Sequence, residues 1–560
     1  MPDSTADTPW TWWRWWAAVP LTTAVVVLGL LQCGGWSGAV NADGVSYLDL
    51  AALYAHGHLG AMANSYWSPL YPMLLGAALR IAALLPGAPP SELRVVFAVN
   101  VVIFAFVAVA LVRLARTLAR TPAATTLTVT RGFRALVVLA LGIWALIRLI
   151  GATTVTPDAL LAVWTFLAAA DLCDAATGVP SKVRDRRFAV VLAVGYWTKA
   201  VFLPVGIVCI AAYLIVTERA SRRAVLRNVA LPFLIIVVPL VAIQSWTQGR
   251  PSFGETGRLN YRWYVARMPH APLTVEGPEA SARRHAPATV VVDALPGTTL
   301  FAGDAPGSFP YWFEPTRFEP RGSAPVSLRA QLLTLTTNAS WFRVAMGAFT
   351  LWAVIAMCAA LLRGPARPRR LWALVPGVVM LGLYALTHTE GRMGAASIVV
   401  VLLGIVYLAD AVPADRRVLL AVVECGALGI LAILALGRTA KRVPDFGAPS
   451  AFAASDSLAS ALRAAGIESG ARVAVVGSPF GHYWAHQTGA RVVASLPLPD
   501  YTRLVDDAVL ERTAAELAAR GSPISAIVWH EQTNIRSTRA RRLAAGMWIY
   551  VVPTFNAHIR

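Results

Sequence analysis

Asp43 and Asp49 stand six residues apart, with Tyr47 between them, in the stretch NADGVSYLDLAALYAHGHLGAMANSYWSPLYP over 41–72. A carboxylate so placed can act as a general base toward an acceptor hydroxyl. It can also help to hold a divalent metal, or cap the short amphipathic helix that GVSYLDLAALYA suggests. Asp158 follows TTVTP, where Thr156 and Pro157 make a helix start, so a capping role is a second reading of this acid. Lys199 interrupts the long apolar run 188–216. A cation at such a position is by default a functional residue, here suited to an anion such as phosphate, with snorkelling to the surface as the alternative. His388, Glu390 and Arg392 form a compact charged cluster in HTEGR. Glu390 and Arg392 can pair with each other, or the Arg can bind an anion.

Other groups carry weaker signals. His56 and His58 make a lone HxH, and His482 and His486 have i, i+4 spacing; with no third ligand in view both pairs read as polar rim. GSPFGH at 477–482 follows a strand-like run but is not GxGxxG. Cys33, Cys173, Cys209, Cys358 and Cys425 lie in or beside apolar runs without a CxxC pair, and read as small core residues.

The elements that must position these residues are apolar. The 560 residues are 57% hydrophobic and 14% charged, with a mean hydropathy of +0.58; a soluble chain of this length carries more charge. Twelve apolar segments recur, at 16–36, 67–85, 93–112, 134–151, 157–172, 188–198, 200–216, 229–246, 341–362, 371–387, 395–412 and 418–437. They imply a multi-pass, all-α membrane protein. The net charge of +19 comes almost wholly from Arg, the lysines being Lys182, Lys199 and Lys441. These charges fall in short loops, where they set topology and attract anionic lipid heads, which argues against nucleic acid.

Trp10, Trp12, Trp13, Arg14, Trp15 and Trp16 make an interfacial belt before an uncleaved first helix, N-terminus inside. Basic loops 113–134, 182–187, 219–227, 363–370 and 416–417 mark the inside; loops 37–66, 152–158 and 388–394 mark the outside, with 247–340 as a large outside loop. One conflict follows. If 67–85 and 93–112 both cross, Arg113–Arg134 falls outside, so one early segment fails to cross fully. The pair 188–198 and 200–216 fits a hairpin turning near Lys199.

The division expected is a transmembrane domain over 1–443 and a soluble α/β domain over 444–560 on the outer side. In the latter, helices at 455–465 and 503–520 alternate with strands at 472–478, 490–496, 524–530 and 547–553. The loop 247–340 is rich in Pro, Gly and aromatics, with YRWYVAR at 261–267 and SFPYWFEP at 308–315; no internal repeat is visible.

Several of these features occur in the order of one family. Asp43 in the first outside loop, YWSPLYPMLL (66–75), TPDALLAVWTFLAAA (156–170), YWTKAVFLP (196–204) and HTEGRMGAASIVVVLLG (388–404) resemble the GT-C membrane glycosyltransferases, over about 400 residues. The similarity is to bacterial relatives of the dolichyl-phosphate-mannose protein mannosyltransferases (glycosyltransferase family 39) and of the lipid A aminoarabinose transferases.

The resemblance implies transfer of a sugar from a polyprenyl-phosphate donor to a glycan, lipid or protein acceptor, at the outer face of the cytoplasmic membrane. Asp43 would deprotonate the acceptor in an inverting displacement. Lys199 and Arg392 would stabilise the departing phosphate, and Asp158 and Tyr47 would orient sugar or base. His388 and Glu390 belong to the same substrate-binding set. The lipid-linked sugar is the donor substrate, no cofactor is fixed, and a divalent metal stays open. Half-helices meeting at a charge also suit a lipid-linked-sugar transporter or flippase, and a non-catalytic envelope assembly protein is a third reading.

Overall fold

Apolar runs in a bilayer must satisfy their backbone N–H and C=O groups internally, and among the described residues they do so as helices. The computed structural model describes residues 18–87, 90–119, 137–176, 181–268, 294–301, 306–319, 324–346, 371–408, 451–478, 480, 482–498, 505–531 and 533–553. The N-terminal aromatic belt, the run 418–437, most of 341–362, the loops 363–370 and 416–417 and the boundary expected near 443 lie outside these residues.

The helices are α1 (Ala18–Gly34), α2 (Ala42–Ala55), α3 (Leu70–Ala83), α4 (Glu92–Ala119), α5 (Val137–Ile150), α6 (Asp158–Ala175), α7 (Lys182–Thr198), α8 (Phe202–Val216), α9 (Arg219–Gln248), α10 (Leu328–Met346), α11 (Val375–Leu386) and α12 (Gly391–Leu408). Among the described residues, α4 and α9 are each long and apolar enough to cross a membrane, at 28 and 30 residues. Against the apolar runs of the sequence, α3 and α8 fall inside 67–85 and 200–216, whereas α6 and α7 extend beyond 157–172 and 188–198. Gly151, at φ 86, closes α5, and Lys199 adopts extended backbone between α7 and α8. On α8 and α9, Ile207, Ile215, Leu231, Ile235 and Val238 are exposed, as helices facing lipid require.

The helices define two ends. At one, Arg113 of α4 and Arg187 of α7 both pair with Asp171, which is fully buried near the end of α6. At the other lie α2, the start of α6, the α7–α8 turn, the end of α9 and the start of α12. Gln248 of α9 donates to Ser65 Oγ at 2.8 Å there, just before α3. The start of α4 is at that same end, since Glu92 meets side chains that also touch α2. The chain therefore leaves from and returns to one end between α3 and α4. The run 67–85 is the one that makes no net crossing, and Arg113 falls at the opposite end from Asp43, which removes the conflict in the loop charges. Gly76 lets α3 lie against α2: a Cβ there would stand 2.6 Å from the Ala51 carbonyl oxygen.

A six-stranded sheet covers the site end, in the order β1-β3-β2-β4-β6-β5. Its strands are β1 (Thr299–Leu300), β2 (Arg472–Val476), β3 (Arg491–Leu496), β4 (Ala526–His530), β5 (Arg541–Arg542) and β6 (Met547–Val551), with helices α13 (Ala451–Ala464), α14 (Tyr483–Thr488) and α15 (Asp507–Ala519). β2 runs parallel to β3 and β4, and β6 is antiparallel to β4. Period-two alternation splits the strands between two cores. Val473 and Val475 face one, with Phe301, Tyr311 and Trp484; Ala474 and Val476 face the other, with Leu510 and Leu517. β1 belongs to the large 247–340 loop and pairs antiparallel with β3, so loop and C-terminal strands form one layer.

Candidate active site

Four separate elements bring charge to one point. Asp43 lies in the first turn of α2; Asn41 occupies the N-cap position, so Asp43 is not the cap. Its Oδ2 accepts from Arg392 Nη2 at 2.6 Å, across 349 residues of sequence. Among the described residues its Oδ1 accepts only from the Trp312 indole N–H, at 3.3 Å. Asp158 opens α6 behind Pro157 with its side chain 1% exposed. Oδ1 accepts from Lys199 Nζ at 2.7 Å and Oδ2 from Arg392 Nη1 at 3.5 Å. Lys199 lies in the break between α7 and α8, with Nζ 5.6 Å from the Tyr384 ring centre. It is therefore turned inward onto an acid, and the snorkelling alternative does not apply.

Arg392, on the first turn of α12, is the hub. Its Nε donates to Glu390 Oε2 at 2.7 Å while its two Nη groups reach Asp43 and Asp158. The pairing of Glu390 with Arg392 expected from sequence is present, and Arg392 reaches past it. Glu390 also accepts from His388 Nε2 at 3.2 Å. Burial alone would push the Glu390 carboxyl up, but His388 and Arg392 hold it at about 2. The His388 ring stacks on Tyr264 at 3.8 Å. Three carboxylates thus share two cations, so an arriving phosphate would compete with carboxylates already in place.

Tyr47 follows Asp43 by one turn of α2, its ring against Trp67 and Tyr71 at 5.0 and 5.5 Å. Burial, then the charges of Asp43 and Asp158, push its phenol well above the ordinary range, so it remains a protonated phenol. All seven residues singled out in the sequence therefore lie in one region. Among the described residues no group of three or more His, Cys, Asp or Glu side chains is arranged to hold a metal.

The wall opposite the charges is aromatic and was not foreseen as part of the site. Trp312 stacks on Trp263 at 5.8 Å, and Tyr66 packs edge-on to Trp67 at 4.5 Å. Buried Glu319 fixes this wall by accepting from Arg262 Nε, Trp263 Nε1 and the Tyr311 hydroxyl. Asn64 Nδ2 donates to the Phe313 carbonyl at 2.7 Å, and Asn64 Oδ1 takes the Tyr66 and Trp67 amides. The aromatic density of YRWYVAR and SFPYWFEP was the available signal. The two histidine pairs part company. His56 is exposed and bonds its own helix at the Ala52 carbonyl, whereas His486 is buried between two acids. His482 bonds the Ser478 carbonyl and the Trp484 indole.

No family model matches the sequence and no curated protein does. Several solved structures resemble the chain, three of which show the range. ArnT from Cupriavidus metallidurans bound to undecaprenyl phosphate aligns over 96% of this chain and 98% of its own, at 11% identity and a TM-score of 0.49. The Archaeoglobus fulgidus oligosaccharyltransferase aligns over 91% and 68%, at 11% and 0.46. Arabinofuranosyltransferase AftD from mycobacteria aligns over 95% of this chain and 40% of its own, at 16% and 0.44. These neighbours are GT-C glycosyltransferases. At such identities and scores, function rests on the chain's own residues.

Proposed function

We propose that this chain is an integral-membrane glycosyltransferase of the cytoplasmic membrane. It moves a sugar from a polyprenyl-phosphate donor to an acceptor hydroxyl at the bundle end that carries Asp43, on the outer face. The observation that carries the reading is the convergence of Asp43 and Asp158 on Lys199 and Arg392.

In the reaction the acceptor oxygen attacks the anomeric carbon and the bond from that carbon to the phosphate oxygen breaks. The electron pair stays on the phosphate, and the configuration inverts. Asp43 Oδ1, which takes the long indole contact, accepts the acceptor proton. Oδ2 stays on Arg392, which fixes the direction of the base. Lys199 and Arg392 meet the charge that develops on the leaving phosphate, while Asp158 holds both cations in place and Tyr47 orients the sugar. The aromatic wall of Tyr66, Trp67, Trp263 and Trp312 offers flat faces to a sugar ring. Two side-chain cations at one point supply the positive charge the step needs, so nothing is routed through a divalent metal.

The transporter reading places its charges near the midplane, whereas these lie at one end of the bundle. The test is purified protein in lipid nanodiscs with a panel of radiolabelled polyprenyl-phosphate sugars, wild type against Asp43→Ala. Sugar release by the wild type alone supports the reading. Release that survives Asp43→Ala overturns the assigned base. No release from any donor, together with lipid-linked-sugar flux in proteoliposomes, overturns the transferase.

A further inference from the structure

His486 lies outside the charge cluster, and the reaction above does not use it. It stands on α14 in the C-terminal layer with its side chain 8% exposed. Nδ1 faces Asp49 Oδ1 of α2 at 2.6 Å. Nε2 faces Glu92 Oε1 and Oε2, at the start of α4, at 2.9 and 3.0 Å. Ionised carboxylates only accept, so both ring nitrogens must carry hydrogen and the ring is an imidazolium. The remaining polar groups around it are few. Tyr483 of α14 donates to Glu92 Oε2 at 2.9 Å, Asp456 of α13 bears on that phenol, and Ser308 contributes a hydroxyl.

Two paths lead from this ring to the proposed base. Asp49 lies on the same helix as Asp43, six residues along. Its other oxygen accepts from both the Ser308 amide, at 2.8 Å, and the Ser308 hydroxyl, at 2.9 Å. Four residues beyond Ser308 is Trp312, whose indole donates to Asp43.

We propose that His486 is a positioning residue. While its ring is charged it seats the C-terminal layer on α2, and through Asp49 and Ser308 it sets Trp312 against Asp43. Its link to catalysis rests on the proposed function; the pH-dependent seating itself does not. Loss of the proton leaves a ring lone pair facing a carboxylate and two acids with no cation between them, which loosens the contact. Burial alone would favour the neutral ring, but Glu92 and Asp49 outweigh it and raise the group well above its ordinary 6.5. The sign follows from that direction: the seating is complete below pH 6.5 and is lost as pH rises through the raised value.

The test uses the full chain in lipid nanodiscs and reads hydrogen-exchange protection of the Ser308 amide across the alkaline range, with the intrinsic exchange rate divided out. Wild type should hold a plateau and then lose protection about tenfold or more, a change equivalent to about 1.4 kcal/mol. Glu92→Gln keeps an acceptor oxygen but removes one charge, and should move the midpoint down by about one pH unit. His486→Gln should lack the plateau. Turnover should fall with the wild-type midpoint. Protection that is flat with pH in the wild type overturns the proposal, as does a Glu92→Gln variant that loses protection without moving the midpoint. Titrating protection in a chain that consumes no donor would count against the glycosyltransferase reading and leave this one standing.

Discussion

Replacing Lys199 by Gln separates the two roles its ammonium has here, holding Asp158 and meeting a phosphate. Lys199 Nζ and Asp158 Oδ1 are 2.7 Å apart, with side chains 17% and 1% exposed. Removing one partner of a buried pair costs about 3–5 kcal/mol. The lower figure applies, because Arg392 still reaches Asp158 at 3.5 Å. A charge-assisted hydrogen bond to phosphate is worth about 1.5–3 kcal/mol, so Lys199→Gln should weaken undecaprenyl phosphate binding about 10- to 100-fold.

The discriminating variant adds Asp158→Asn. A neutral amide pair of nearly the same shape removes the stranded charge, so most of the lost stability should return. Binding should not return, because the cation is still missing. The assays are denaturant unfolding in nanodiscs and equilibrium binding of radiolabelled undecaprenyl phosphate. A double variant that binds the lipid phosphate as tightly as wild type refutes the assignment of Lys199 to the phosphate.

Other outcomes follow from the same geometry. Trp312→Phe keeps an aromatic ring in the wall but removes the 3.3 Å indole donation to Asp43, while the Trp312 carbonyl still accepts from Ser46 and Trp67; turnover should fall by about fivefold, equivalent to about 1 kcal/mol. Gly76→Ala places a Cβ 2.6 Å from the Ala51 carbonyl oxygen, and should lower stability by about 1–3 kcal/mol by pushing α3 off the helix that carries Asp43, as thermal unfolding would show. Glu390, held at about 2 against an ordinary 4.5, contributes stability that is present above pH 4.5 and is lost as pH falls toward 2. Glu390→Gln should therefore flatten the acid limb of the unfolding profile.

The charged residues of the site were legible in the sequence because each breaks an apolar background: Asp43, Asp158, Lys199 and Arg392 are conspicuous where a charge is costly. The strands at 472–476, 491–496, 526–530 and 547–551 were equally plain from short apolar runs between turns. The aromatic wall was not, because Trp263 and Trp312 lie in a Pro- and Gly-rich loop whose path is set by Glu319 and Asn64, contacts that span 56 residues from Glu319 to Trp263 and 249 from Asn64 to Phe313. His486 was misread as polar rim for the same reason. Its partners are 437 and 394 residues away, and i, i+4 spacing with His482 says nothing of them. The helix break at Lys199 was legible too, because the charge interrupts an otherwise apolar run.

The central claim, that Asp43 is the base of a phosphate-leaving displacement, is tested most directly by single-turnover transfer with Asp43→Asn, using the donor that the wild type consumes. The rate should fall by about 100- to 10,000-fold with undecaprenyl phosphate binding retained, since Lys199 and Arg392 are untouched. A variant that transfers sugar at a rate within about tenfold of wild type would contradict it.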